Sequence, residues 1–235
     1  MAEPLVSAVP TSLPTLFLYL FRSWKPPQDL SIEVLIDILH MCKMWYIEDG
    51  FKFAKYWLEQ CKIPATERLQ LATRYEIRDW VTPAVKELLR TPLSSLSNGD
   101  LDHINIRLYS IIAKAKEAIE KQRKLIAACP PTLPKDSQDF QTAWCVSHTT
   151  CAKVWADTWW KVVARSILHP IMPLDVNTMV DFLKSIDHKG MSSPCKEDIL
   201  RKLESDGSPF NTLRGIEEGA IRSVLLACEF SLYNI

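Results

Sequence analysis

Between Leu39 and Thr91 the chain carries one helical unit twice, offset by thirty positions. Leu39 lies over Leu69, Cys42 over Ala72, Trp45 over Tyr75 and Ile47 over Ile77. Asp49 then lies over Asp79, Phe51 over Val81, Ala54 over Ala84 and Leu58 over Leu88. Apolar and turn positions matched at a fixed offset mark a repeated supersecondary unit. Each copy reads as a helix, a short Ile-x-Asp turn and a second helix. A helix pair this short buries its apolar stripe only against another layer, so the two copies are expected to stack.

The flanking sequence supplies matching stops. Ser31 suits an N-cap for a helix with Leu35, Ile38, Leu39, Cys42 and Trp45 on one face. Gly50 to Cys61 forms the next helix, with Phe51, Ala54, Trp57 and Leu58 inward. Pro64 opens the second copy, and Thr91-Pro92 closes it. Ile104 to Leu125 reads as a long helix with Leu108, Ile111, Ile112, Ala115, Ala118 and Ile119 in one stripe. Cys129-Pro130-Pro131-Thr132-Leu133-Pro134 breaks the pattern. Helical spacing returns at Val154, Trp155, Trp159, Val162 and Ile167. It returns again at Met179, Val180, Phe182, Leu183 and Ile186, at Ile199, Leu200 and Leu203, and at Ala220, Ile221, Val224, Leu225 and Cys228. The expected fold is all-α: stacked helical hairpins followed by a helical C-terminal region. Its expected segments are 1–30 at the N-terminus, 31–126 for the repeat with its long helix, a 127–140 proline-rich linker, and 141–235.

Composition narrows the function classes. The net charge is zero, so no global field draws the chain to nucleic acid or anionic lipid. The long helix has a basic face of Arg107, Lys114, Lys116, Lys121, Arg123 and Lys124 against Glu117 and Glu120. No stacking aromatics or groove-reading motif accompany it, so it reads as a solvated side. The apolar run Leu16 to Phe21 is too short to span a bilayer, and Pro10 and Pro14 interrupt the sequence before it. Seven cysteines lack the spacing of a secreted disulfide scaffold, which points to reduced thiols and an intracellular, cytoplasmic or nuclear setting. Nucleophile elbows, zinc-protease motifs, phosphate loops and dinucleotide fingerprints are missing, so the chain reads as non-enzymatic.

One constellation has metal-ligand residue types: Cys145-x-x-His148-x-x-Cys151, with His188 and Cys195 downstream to complete a tetrahedral set. Thiolate and imidazole are the donors zinc prefers. The same spacing also describes cysteines packed beside Trp144 and Trp155, and both readings stand. His169 before Pro170 suits a helix C-terminus. Trp57, Trp80, Trp159 and Trp160 are the aromatic candidates for contact with a protein partner, and of the adjacent Trp159-Trp160 pair one is expected to point outward.

Lys43-Met44-Trp45-Tyr46-Ile47 and Leu71-Ala72-Thr73-Arg74-Tyr75-Glu76-Ile77-Arg78-Asp79-Trp80, ending at Arg90-Thr91-Pro92, carry a family resemblance. So do the proline-rich break, Cys151-x-x-x-Trp155-x-x-x-Trp159-Trp160 and Leu168-His169-Pro170. Over residues 16 to 210 this combination resembles the BTB/POZ proteins of mushroom-forming fungi. The helices match the C-terminal half of that domain. Only about thirty residues stand where the family has its strand–helix layer, so the N-terminal half of the domain is expected to be lacking. The resemblance implies an adaptor-like role in protein–protein association, with homo-oligomers or scaffold proteins as partners. It also implies paired metal-ligand positions at His148-x-x-Cys151 and Ser192-x-x-Cys195. A zinc-stabilised regulatory module using Cys145, His148, Cys151 and Cys195 is the first alternative expectation, and a Cys/His enzyme the second.

Overall fold

The computed structural model describes residues 30–131, 145, 147–170, 172–205 and 208–229. The Leu16–Phe21 run, Trp144 and most of the proline-rich linker lie outside the described residues. Within them the secondary structure is helical and contains no strand, as the sequence predicts. Among the described residues no helix is long and apolar enough to cross a membrane.

The repeat is realised in the backbone. Helix α1 (Ile32–Met44) and helix α2 (Glu48–Gln60) form the first hairpin. Ser31 caps α1, its hydroxyl accepting the Val34 N–H at 3.4 Å. Helix α3 (Ala65–Tyr75) leads through a 3₁₀ turn (Arg78–Trp80) into helix α4 (Val81–Arg90). Both first helices end in the same way. Ile47 N–H reaches back to the Cys42 carbonyl at 2.9 Å, and Ile77 N–H to the Ala72 carbonyl at 2.9 Å. Each is the six-to-one bond of a Schellman turn, which satisfies a carbonyl the helix leaves open.

The two hairpins meet through side chains. Lys43 pairs with Glu76 at 2.7 Å and Lys55 with Asp79 at 2.8 Å, while the Trp80 indole donates to Glu59 at 2.9 Å. The sequence stripe Leu35, Ile38, Leu39 and Cys42 is buried as expected, but Trp45 is 43% exposed. The reason is local: α1 ends at Met44, and the turn swings Trp45 off the stripe.

A short helix α5 (Asn98–His103) carries a capping box at Ser97 and Asp100, and Thr66 bonds Asp100 at 2.8 Å to fix it against α3. Helix α6 (Ile106–Ala128) follows, capped by Asn105 and burying Leu108, Ile112, Ala115 and Ile119. Its basic face is less solvated than the charges suggest. Lys116 donates to the carbonyls of Leu88 and Leu89 at 3.3 and 2.9 Å, closing the end of α4. Burial of its ammonium, with Arg123 nearby, lowers the Lys116 pKa.

Beyond the linker, helix α7 (His148–Thr158) runs through a π turn (Trp159–Val163) into helix α8 (Ala164–Ile167). Helices α9 (Val176–Ser185), α10 (Ser193–Glu204) and α11 (Pro209–Ala227) complete the chain. Helix α11 packs along both α6 and α4. The expected segments 31–126 and 141–235 therefore share one core, running from Leu35 to Leu225.

Candidate metal centre

Two indoles fix the helix that carries the centre. Trp155 donates to the Pro131 carbonyl at 2.9 Å, and Trp159, one turn later, to the Ala127 carbonyl at 3.1 Å. Trp159 has no exposed surface and stacks on Phe210 of α11 with ring centroids 6.4 Å apart. The last turn of α7 and the π turn after it are thus held against the end of α6. Helix α10 begins nearby, so the N-terminal turns of α7 and α10 converge.

Three ligand-type side chains cluster there, with a fourth, Cys151, beside them. His148 and Cys151 lie in the first turn of α7, Cys145 precedes its cap Ser147, and Cys195 lies in the first turn of α10. The ligand atoms of Cys145, His148 and Cys195 all fall within 4.8 Å of one another. Cys195 Sγ is 3.4 Å from His148 Nδ1, and Cys145 Sγ is 3.5 Å from Cys151 Sγ. A tetrahedral zinc with bonds of roughly 2.0–2.3 Å sets its donors about 3.4–3.8 Å apart. The Cys195–His148 and Cys145–Cys151 separations already have nearly that length, while Cys151 lies outside the mutual cluster of the other three.

The surroundings suit thiolates. The Ser192 N–H donates to Cys151 Sγ at 3.4 Å, and the two sit at helix N-termini, where the backbone dipole favours negative charge. Bonding to the Ser192 hydroxyl pulls the Cys145 thiol down to about 7, helped by Cys151, Cys195 and Ser147 and opposed by desolvation. Cys195 shows the opposite behaviour: burial pushes it up to about 11. Ser192 thus orients a ligand through its backbone and hydroxyl, a supporting role that metal sites characteristically need.

The other sequence candidates fall elsewhere. His188 does not join the cluster. It is buried, bonds the Ile186 carbonyl through Nδ1 at 2.8 Å and stacks on Trp155. Burial, with Lys196 nearby, lowers its pKa. His169 accepts the Met172 N–H at 3.0 Å and stitches the turn after α8. Trp80 and Trp159 are core residues rather than partner-facing ones, because each indole N–H has its acceptor inside the protein. Trp57 is half-buried, edge-on to Tyr56 with centroids 5.3 Å apart, and only Trp160 among the four is widely exposed, at 51%. Met44 and Tyr46 at the α1–α2 turn, the latter more exposed than any of the four, fall outside a selection made on tryptophan alone.

No family model, curated protein or solved structure matches the chain.

Proposed function

We propose that this protein is a non-enzymatic helical interaction module whose C-terminal half is pinned by a structural zinc ion. The observation that carries the reading is the clustering of Cys145, His148 and Cys195 at the paired starts of α7 and α10, with Cys151 against Cys145 at 3.5 Å. With Cys151 drawn in from beside Cys145, three thiolates and an imidazole would complete a four-coordinate shell, and closed shells of this type are structural. Bound metal would keep the thiols ionised and tie α10 to α7 across forty-odd residues of sequence.

A cysteine enzyme is less well supported. A nucleophilic cysteine needs access and a lowered pKa. Cys195, 3.4 Å from His148 Nδ1, is buried with its pKa raised, so the pair such an enzyme would use is the half-exposed Cys145, lowered to about 7, with His148. The reading is tested by titrating apo-protein with Zn²⁺ and following thermal melting. Stoichiometric binding with a rise in melting temperature supports it, and an unchanged melt contradicts it.

The interaction half of the proposal rests on the α1–α2 turn, where Tyr46 is 91% exposed beside Met44 and Trp45. Adjacent exposed aromatics of this kind are enriched at protein interfaces. A Trp45→Ala/Tyr46→Ala double variant compared with wild type by size-exclusion chromatography and light scattering tests self-association. A wild-type dimer that becomes a monomer supports it; a monomer in both removes it.

A further inference from the structure

We infer that the centre is a redox-released zinc site in which Cys145 and Cys151 form a disulfide and expel the metal. The inference rests on the zinc reading above and concerns how that site is regulated. The four donors are not equivalent. Cys145 and Cys151 already face each other at 3.5 Å between sulfurs, whereas Cys195 lies 3.4 Å from a ring nitrogen, His148 Nδ1. Closing the sulfur pair to a bond of about 2.05 Å needs roughly 1.5 Å of movement.

The positions allow that movement on one side only. Cys151 is buried within α7, and Cys195 is buried within α10. Cys145 lies before the helix, outside regular structure and half-exposed, so it is the thiol that an oxidant reaches and the one whose backbone can shift. The loop closed would span only residues 145–151 and leave both helices intact.

With hydrogen peroxide as oxidant, the chemistry balances. The Cys145 thiolate attacks a peroxide oxygen, the O–O bond breaks, and hydroxide leaves to give a sulfenic acid. The Cys151 thiolate attacks that sulfur, the S–S bond forms, and a second hydroxide leaves. Two protons convert the hydroxides to water. Both sulfurs are oxidised, peroxide is reduced, and Zn²⁺ departs as the aquo ion because a neutral disulfide is no ligand for it. His148 and Cys195 then remain as two donors, too few to retain zinc.

The test uses the full chain with its zinc content measured first. Stoichiometric peroxide is added, free zinc is followed with a chromogenic chelator, and the oxidised cysteines are mapped by peptide mass spectrometry. The expected result is release of the bound zinc in step with a Cys145–Cys151 crosslink, both reversed by dithiothreitol and added zinc. A Cys129→Ser variant, which removes an exposed cysteine outside the cluster, is expected to behave as wild type. Zinc-loaded protein that keeps its metal, or that links Cys195 instead, overturns this inference and leaves the metal reading standing. Protein that takes up no zinc before oxidant is added overturns both.

Discussion

Tyr46 and Glu76 occupy the same left-handed turn position thirty residues apart, with φ of 57° and 60°. A left-handed backbone is disfavoured for residues with a Cβ, and glycine is the usual occupant at the end of a helix. Neither copy of the repeat uses one. Replacing the exposed Tyr46 by Gly is predicted to stabilise the protein by about 0.5–1 kcal/mol, the relieved strain exceeding the entropy cost of glycine. Tyr46→Val is predicted to destabilise by a similar amount, since a branched Cβ tolerates the turn least. Chemical denaturation of the three proteins checks both signs.

The Trp159 indole joins α7 to the last turn of α6 and has no exposed surface. Truncation to Ala is predicted to cost about 3–5 kcal/mol through the cavity it leaves. Trp159→Phe keeps most of the volume but leaves the Ala127 carbonyl without its donor, for a loss of about 1–3 kcal/mol. Equilibrium urea unfolding separates the two, and equal losses would contradict the hydrogen-bond argument.

Glu217 on α11 supplies a pH dependence. Burial, with Asp175 nearby, raises its pKa above the ordinary value, against the opposing pull of Arg90, Arg123 and Lys86. The folded state therefore holds this proton more tightly than the unfolded state. Its effect on stability is neutral below the unfolded value and becomes a penalty as pH rises through the raised folded value. Glu217→Gln is predicted to be more stable than wild type at pH 7, with the difference closing as the pH falls towards 4.5. A constant difference across that range would contradict the assignment.

The helices and their order are legible in the sequence because period and caps agree: Ser31, Pro64 and the Leu/Ile stripes point to the elements observed, although the long helix starts at Ile106 rather than Ile104 and runs on to Ala128. The turns are less legible. Left-handed positions are normally announced by Gly or Asn, and here they hold Tyr46 and Glu76. That is why Trp45 was placed on a core face it does not occupy. The π turn at Trp159–Val163 carries no compositional signal either. For the metal centre, spacing of three residues brings out Cys145, His148 and Cys151, and residue type alone suggests Cys195. Spacing alone does not separate Cys195 from His188, because the choice depends on where α10 begins relative to α7; only the resemblance at Ser192-x-x-Cys195 favours Cys195. Tryptophan count was a poor guide to exposure, since Trp80 and Trp159 each find an internal acceptor.

The measurement closest to the central claim is the metal content of the purified full chain by elemental analysis, for wild type and Cys195→Ser. Bound zinc is predicted at one ion per chain in wild type, and far below that in the variant, which loses one of the three clustered donors. Wild-type protein that contains no zinc and acquires none on reconstitution, or a variant that binds as much as wild type, would contradict the account.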